Sequence, residues 1–133
     1  MLQTIETFET MDLEMQIEAG KTTPNISFRN GELNIIGRSI SHNIELQYEP
    51  LLKFFYLYSL TPKQKTVINI FLDYMNSDTN RSLMTVMIIA EKIKRNGFEV
   101  EVNWQVHRSD DPMIDQGRIF ESLVKLPFQY IIV

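Results

Sequence analysis

The sequence has no cysteine, which removes both a disulfide framework and a thiolate metal site. Histidine is nearly as scarce: His42 and His107 are far apart and neither has a second nitrogen ligand at metal spacing, so a zinc site is not expected. Basic residues are the minority charge. Thirteen Lys and Arg against 17 Asp and Glu give a formal net charge of −4, which argues against nonspecific nucleic-acid binding, because a phosphate backbone is held by clustered cations. Lys92, Lys94 and Arg95 form the one basic cluster, and they directly precede Asn96-Gly97. There they complement the negative end of a helix that the glycine closes. Long apolar runs are missing too. The longest, residues 51–60, contains Lys53 and reaches about half of the ~20 residues a membrane helix needs. Glu6 and Glu9 occur early, and no basic segment precedes an apolar run, so no secretory leader is expected. These absences predict a cytoplasmic protein with no membrane or nucleic-acid partner. Its 133 residues are enough for one ordinary core.

What is present is a regular succession of periodic segments. Leu13, Met15 and Ile17 alternate with Glu14, Gln16 and Glu18, the period of a half-buried strand; residues 1–22 therefore read as an edge strand or an arm ahead of a domain over 23–133. Residues 25–28 and 32–37 flank Arg29-Asn30-Gly31, and Asn-Gly between alternating residues signals a hairpin. From Asn43, a plausible cap, Ile44, Tyr48, Leu51, Leu52, Phe55 and Tyr58 recur at helical spacing, with Pro50 either kinking the helix or opening its second half and Pro62 just beyond its end. A strand over 66–75 follows, then a helix from about Thr79 to Arg95, a strand over 99–106, a helix over 113–124 and a last strand over 128–133. Asp110, Asp111 and Pro112 suit the third helix start, which explains these acids better than a cation loop does, Asp115 included. The expected fold is α/β: one domain with a mixed sheet, an N-terminal hairpin and three helices.

Between the strand over 66–75 and the apolar run over 83–93 lies Asn76-Ser77-Asp78-Thr79-Asn80-Arg81, a hydroxyl-rich turn opening a helix. The first N–H groups of a helix lack intrahelical partners and favour anions, so a hydroxyl here can cap the helix or carry a phosphate. Taken alone the turn favours the cap. The order of elements shifts that balance, because it resembles the STAS-type anti-sigma-factor antagonists, in which a phosphorylated Ser or Thr starts the helix after the third strand. Ser77 lies at that junction.

A more specific resemblance runs from Thr23 to the end of the chain. Thr23-Pro24-Asn25-Ile26-Ser27-Phe28, the stretch from Gly31 through Gly37-Arg38-Ser39-Ile40, and Tyr48-Glu49-Pro50-Leu51 are similar to segments of the SiaC family of bacterial regulatory phosphoproteins. So are Tyr74-Met75-Asn76-Ser77, Val100-Glu101-Val102-Asn103-Trp104, the pair Asp110-Asp111, Met113 through Gly117, and Leu126-Pro127-Phe128. The resemblance implies a non-enzymatic partner-switch protein, phosphorylated by a dedicated protein kinase and dephosphorylated by a PPM-type phosphatase. In its unphosphorylated form such a protein binds and activates a diguanylate cyclase, in cyclic di-GMP signalling and biofilm regulation. No cofactor is implied. The chain departs from the family where Thr-Ser-Ser-Ser-Lys becomes Ser77-Asp78-Thr79-Asn80-Arg81. Ser77 keeps the phosphosite hydroxyl, with Thr79 the runner-up, because Asp78 puts a negative charge beside Ser77. Ser41-His42-Asn43 replaces Pro-Glu-Asn, and Val106 an aromatic.

The expected docking surface joins Asn76, Asp78, Asn80 and Arg81 to Met84, Ile88 and Arg38. Leu83, Val86, Met87, Ala90 and Ile93 share the core side of the helix, whereas Met84 and Ile88 form a second stripe, covered by a neighbouring helix or open to a partner. Arg38 and Ser39 leave the hairpin facing either plain surface or a partner. No catalytic residue is assigned: Ser77 has no nearby His, and neither a nucleophile elbow nor a Cys is present. The alternative to the switch is a small ligand-binding or structural interaction domain that is not phosphorylated, Asp78 supplying the charge; a hydrolase ranks last.

Overall fold

The computed structural model describes residues 13–133, so the part of the expected arm over residues 1–12 lies outside the described residues. Six strands form one sheet in sequential order: β1 (Met15–Ile17), β2 (Asn25–Arg29), β3 (Glu32–Ser39), β4 (Lys65–Met75), β5 (Glu99–Val106) and β6 (Phe128–Ile132). The first three pair antiparallel and β3 through β6 are parallel. Each parallel connection carries a helix: α1 (Ile44–Leu60), α2 (Ser77–Arg95) and α3 (Asp111–Leu123). Right-handed crossovers that all step in one direction stack their helices on one face of a sheet, and burial follows suit. Ile68, Ile70 and Leu72 of β4 and Val100, Val102, Trp104 and Val106 of β5 are buried with the inner residues of all three helices in one core.

The hairpin turn has positive φ at Asn30 (52°) and Gly31 (78°), the mirror-image turn whose twist suits paired strands. A side chain at Gly31 would also meet the Lys65 carbonyl at 2.9 Å. Met15 and Ile17 pair with Phe28 and Ile26, so the alternation read around them belongs to an edge strand. Pro50 lies inside a continuous α1, where its missing N–H leaves the carbonyl of the exposed Leu46 without its helical partner. Asn43 sits at the cap position but makes no side-chain capping bond. The third helix starts two residues earlier than the periodicity suggests, because Asp110 accepts from Met113 N and Pro112 suits the first turn.

Two of the motif segments meet in the core. The Trp104 indole N–H donates to the Met113 carbonyl at 2.8 Å, and Gly117 passes so near the ring that a Cβ there would lie 2.7 Å from it. Trp104 on β5 and Met113 through Gly117 on α3 thus form one joint. Among the described residues no helix lies on the opposite sheet face, and a polar row crosses it. Gln16, Ser27, Asn34, Asn69, Asn103 and Gln129 are in register on all six strands. Asn103 Nδ2 donates to Asn69 Oδ1 (2.8 Å) and Asn69 Nδ2 to Asn34 Oδ1 (2.9 Å).

Candidate functional site

The hydroxyl-rich turn begins α2 at Ser77, two residues before the expected start at Thr79. Asn76 is the cap. Its Oδ1 accepts from Thr79 N at 2.9 Å, its Nδ2 donates to Ser41 O at 3.0 Å, and its own N–H donates to Ser39 O at 3.1 Å. Thus one asparagine both starts α2 and ties it to the chain leaving β3. The position is set by contacts 35 and more residues away, which is why four consecutive residues of good capping type could not be told apart in sequence.

The two candidate hydroxyls then face opposite ways. Successive helical residues are about 100° apart, so Thr79 falls on the side of Leu83, Val86, Met87 and Ala90, all buried. Its Oγ1 donates to Ser39 O at 2.7 Å and lies 2.6 Å from Ser39 Oγ, which is 3.0 Å from the Tyr48 hydroxyl. With the Thr79 proton on the carbonyl, Ser39 must donate to Thr79 and Tyr48 to Ser39, giving one directed chain. Burial pushes the Tyr48 phenol up to about 12, the Ser39 hydrogen bond opposing the rise. Ser39 is therefore interior structure and not a partner-facing residue, whereas Arg38 is exposed, its guanidinium 5.0 Å from the centroid of the Tyr74 ring.

Ser77 is exposed and its hydroxyl bonds to no described residue. It occupies the first position of α2, and since Asn76 takes the N–H of Thr79, those of Ser77 and Asp78 remain for an anion. Asp78 does not stand alone beside it: Arg81 holds its carboxylate and also reaches Glu45 Oε1 of α1 at 3.2 Å. On the same outward side Ile88 is 52% exposed, but Met84 is half-buried and packs partly on the core. The stripe drawn from sequence is thus open at Ile88 and partly covered at Met84. The hydroxyl chain through Tyr48 and Ser39 was not read from sequence, where Tyr48 counted only in the helical apolar stripe, and Glu45 went unassigned; for Glu45 the one available signal was its acid type in the first turn of a helix.

Beyond the carboxyl ends of β4 and β5 lies an open cleft of about 850 Å³, lined by Asp73, Tyr74, Asn80, His107, Asp110 and Gln116 among others. His107 Nε2 is 2.8 Å from Asp73 Oδ1, and Asn80 Oδ1 is buried without a partner. Asn80 therefore turns toward this cleft, on the flank of the helix side that carries Ser77 and Met84. His42 is exposed. Among the described residues no three His, Asp or Glu side chains gather as metal ligands, and no helix is long and apolar enough to cross a membrane.

One sheet face covered by three helices, with an unbonded hydroxyl at a helix start, defines a small α/β domain. The chain belongs to the SiaC family of regulatory phosphoproteins, whose sequence pattern matches residues 17–133. Its fold is similar to apo-SiaC from Pseudomonas aeruginosa, with a TM-score of 0.79 at 16% identity over 90% of this chain and 98% of that one. It is also similar to a chain in the crystal structure of the diguanylate cyclase SiaD in complex with its activator SiaC from the same organism, with a TM-score of 0.84 at 17% identity over 90% and 99% of the two chains. Among curated proteins none matches the sequence significantly.

Proposed function

We propose that this protein is a cytoplasmic, non-enzymatic phosphorylation switch that binds and activates a diguanylate cyclase while Ser77 is unmodified. A protein kinase adds the phosphate and a PPM-type phosphatase removes it. The observation that carries the reading is the contrast at the start of α2: the Ser77 hydroxyl is exposed and unbonded, whereas that of Thr79 is sealed by Ser39. A kinase must bring the acceptor oxygen to the terminal phosphate of ATP, and only the first hydroxyl can be reached without opening the helix. Family membership and the SiaC in complex with SiaD supply the partner class. Docking uses the outward side of α2, with Asn76, Asp78, Arg81, Met84 and Ile88, together with Arg38 and with Asn80 at the neighbouring cleft.

Phosphate at Ser77 adds about −1.5 to −2 charges one to three helical turns from Arg81, Met84 and Ile88. An apolar contact that must desolvate such a charge is lost without any refolding of the domain. The experiment is incubation with the kinase and ATP followed by mass spectrometry of the parent, Ser77→Ala and Thr79→Val proteins. Phosphate is expected on the parent and on Thr79→Val and absent from Ser77→Ala. Undiminished labelling of Ser77→Ala would reassign the acceptor, and no labelling of any form favours the unphosphorylated interaction domain, with Asp78 as the permanent charge.

A further inference from the structure

We propose that Arg81 reads the phosphate on Ser77 and, in doing so, releases α1. This rests on Ser77 as the acceptor and adds how the modification is transmitted. Arg81 follows Ser77 by four residues, which places both on one side of α2 with the anion N-terminal to the cation, the favourable orientation for such a pair. In the unmodified protein the guanidinium is shared between Asp78, three residues earlier, and Glu45 Oε1 of α1 at 3.2 Å. The link to α1 is weakly held: the Arg81 and Glu45 side chains are 70% and 60% exposed, and exposed ion pairs contribute little.

A phosphoserine at position 77 is a stronger competitor than Glu45. It presents three acceptor oxygens and about −1.5 to −2 charges against one, and the planar guanidinium fork matches a phosphate with two parallel hydrogen bonds. Arg81 already neutralises Asp78, so the same cation can bridge the phosphate and Asp78 and relieve their repulsion. Glu45 is then the partner left over. It borders a groove between α1 and α2 lined also by Glu49, Leu52, Ser82 and Thr85. Glu49 keeps its own cation, Lys53 at 3.1 Å, but Glu45 becomes an uncompensated carboxylate beside the exposed Leu46. The signal therefore spreads from α2 to the surface of α1 by an exchange of partners, with no movement of the core.

The test uses the full chain with phosphoserine installed at position 77 by genetic code expansion, so that it does not depend on a kinase, and follows the phosphate by 31P NMR during a pH titration. The second ionisation of the phosphate should lie about 0.3 pH unit higher in Arg81→Gln than in the parent, the size expected of a lost i,i+4 ion pair. Arg81→Lys, which keeps the charge without the fork, should fall between them, and Glu45→Gln, which removes the competitor, should not raise the value. Superposed titrations of the parent and Arg81→Gln overturn the proposal. A kinase that leaves Ser77 unlabelled overturns only the assignment of the acceptor, since the installed phosphate still reports whether Arg81 holds it.

Discussion

Ser77 and Thr79 open the same helix, yet the first hydroxyl faces solvent unbonded while the second has no exposed surface and is bonded to both the main chain and the side chain of Ser39. Helical geometry produces the difference. Thr79 precedes Leu83 by four residues and inherits the core side; Ser77 precedes Arg81 by four and inherits the side that carries Thr85 and Ile88. One turn of chain therefore holds two environments. Its inner hydroxyl ties the start of α2 to β3 and α1, and its outer one takes no part in that joint.

The largest effect expected on the inner side is with pH. Tyr48 ends the Tyr48–Ser39–Thr79 chain, and burial raises its folded pKa to about 12, above the ordinary value of about 10. A raised folded pKa means that this tyrosine imposes no penalty below pH 10, where both states keep the proton; above that the unfolded chain ionises first and stability falls as pH climbs toward the folded value. The slope is about 1.4 kcal/mol per pH unit for one proton. Denaturant titrations of the parent and Tyr48→Phe between pH 9 and 12 should show the parent losing ground to the variant, and parallel curves would mean that the phenol is not sealed.

Thr79→Val keeps the shape of the side chain and removes its hydroxyl, leaving Ser39 Oγ without an acceptor. A loss of about 2 kcal/mol is expected in thermal or urea unfolding. Ile88→Glu should cost affinity for the cyclase by about tenfold, or about 1.4 kcal/mol, with unfolding unchanged because the residue is half exposed. Met84→Glu should weaken both, since Met84 packs partly on the core. Ser77→Ala should change stability by less than about 0.5 kcal/mol. Equal losses in Ser77→Ala and Thr79→Val would erase the distinction between the two sides.

Much of this was legible in the sequence because it is local. Asn30-Gly31 marked its hairpin, and the order of strands and helices followed from periodicity. Asn96-Gly97 closes α2 as expected, with Gly97 at φ 98°. The start of α2 was misplaced by two residues, because Asn76, Ser77, Asp78 and Thr79 all suit a cap and the choice is made by carbonyls of Ser39 and Ser41. The same holds for Arg81, whose link to Glu45 spans 36 positions. The polar row was hidden for another reason: Asn34, Asn69 and Asn103 each read as ordinary alternation on a separate strand, and only the parallel register brings them together. Sequence patterns gave the faces of each element; which residue meets which across elements required the fold.

The measurement that bears most directly on the switch is the affinity of the diguanylate cyclase for this protein with and without phosphate on Ser77, by calorimetry, paired with amide NMR spectra of both forms. The account predicts a loss of roughly a hundredfold, about 2.7 kcal/mol, with spectral changes confined to the first turn of α2 and the facing end of α1. Equal affinity of the two forms, or shifts spread across the whole sheet, would contradict it.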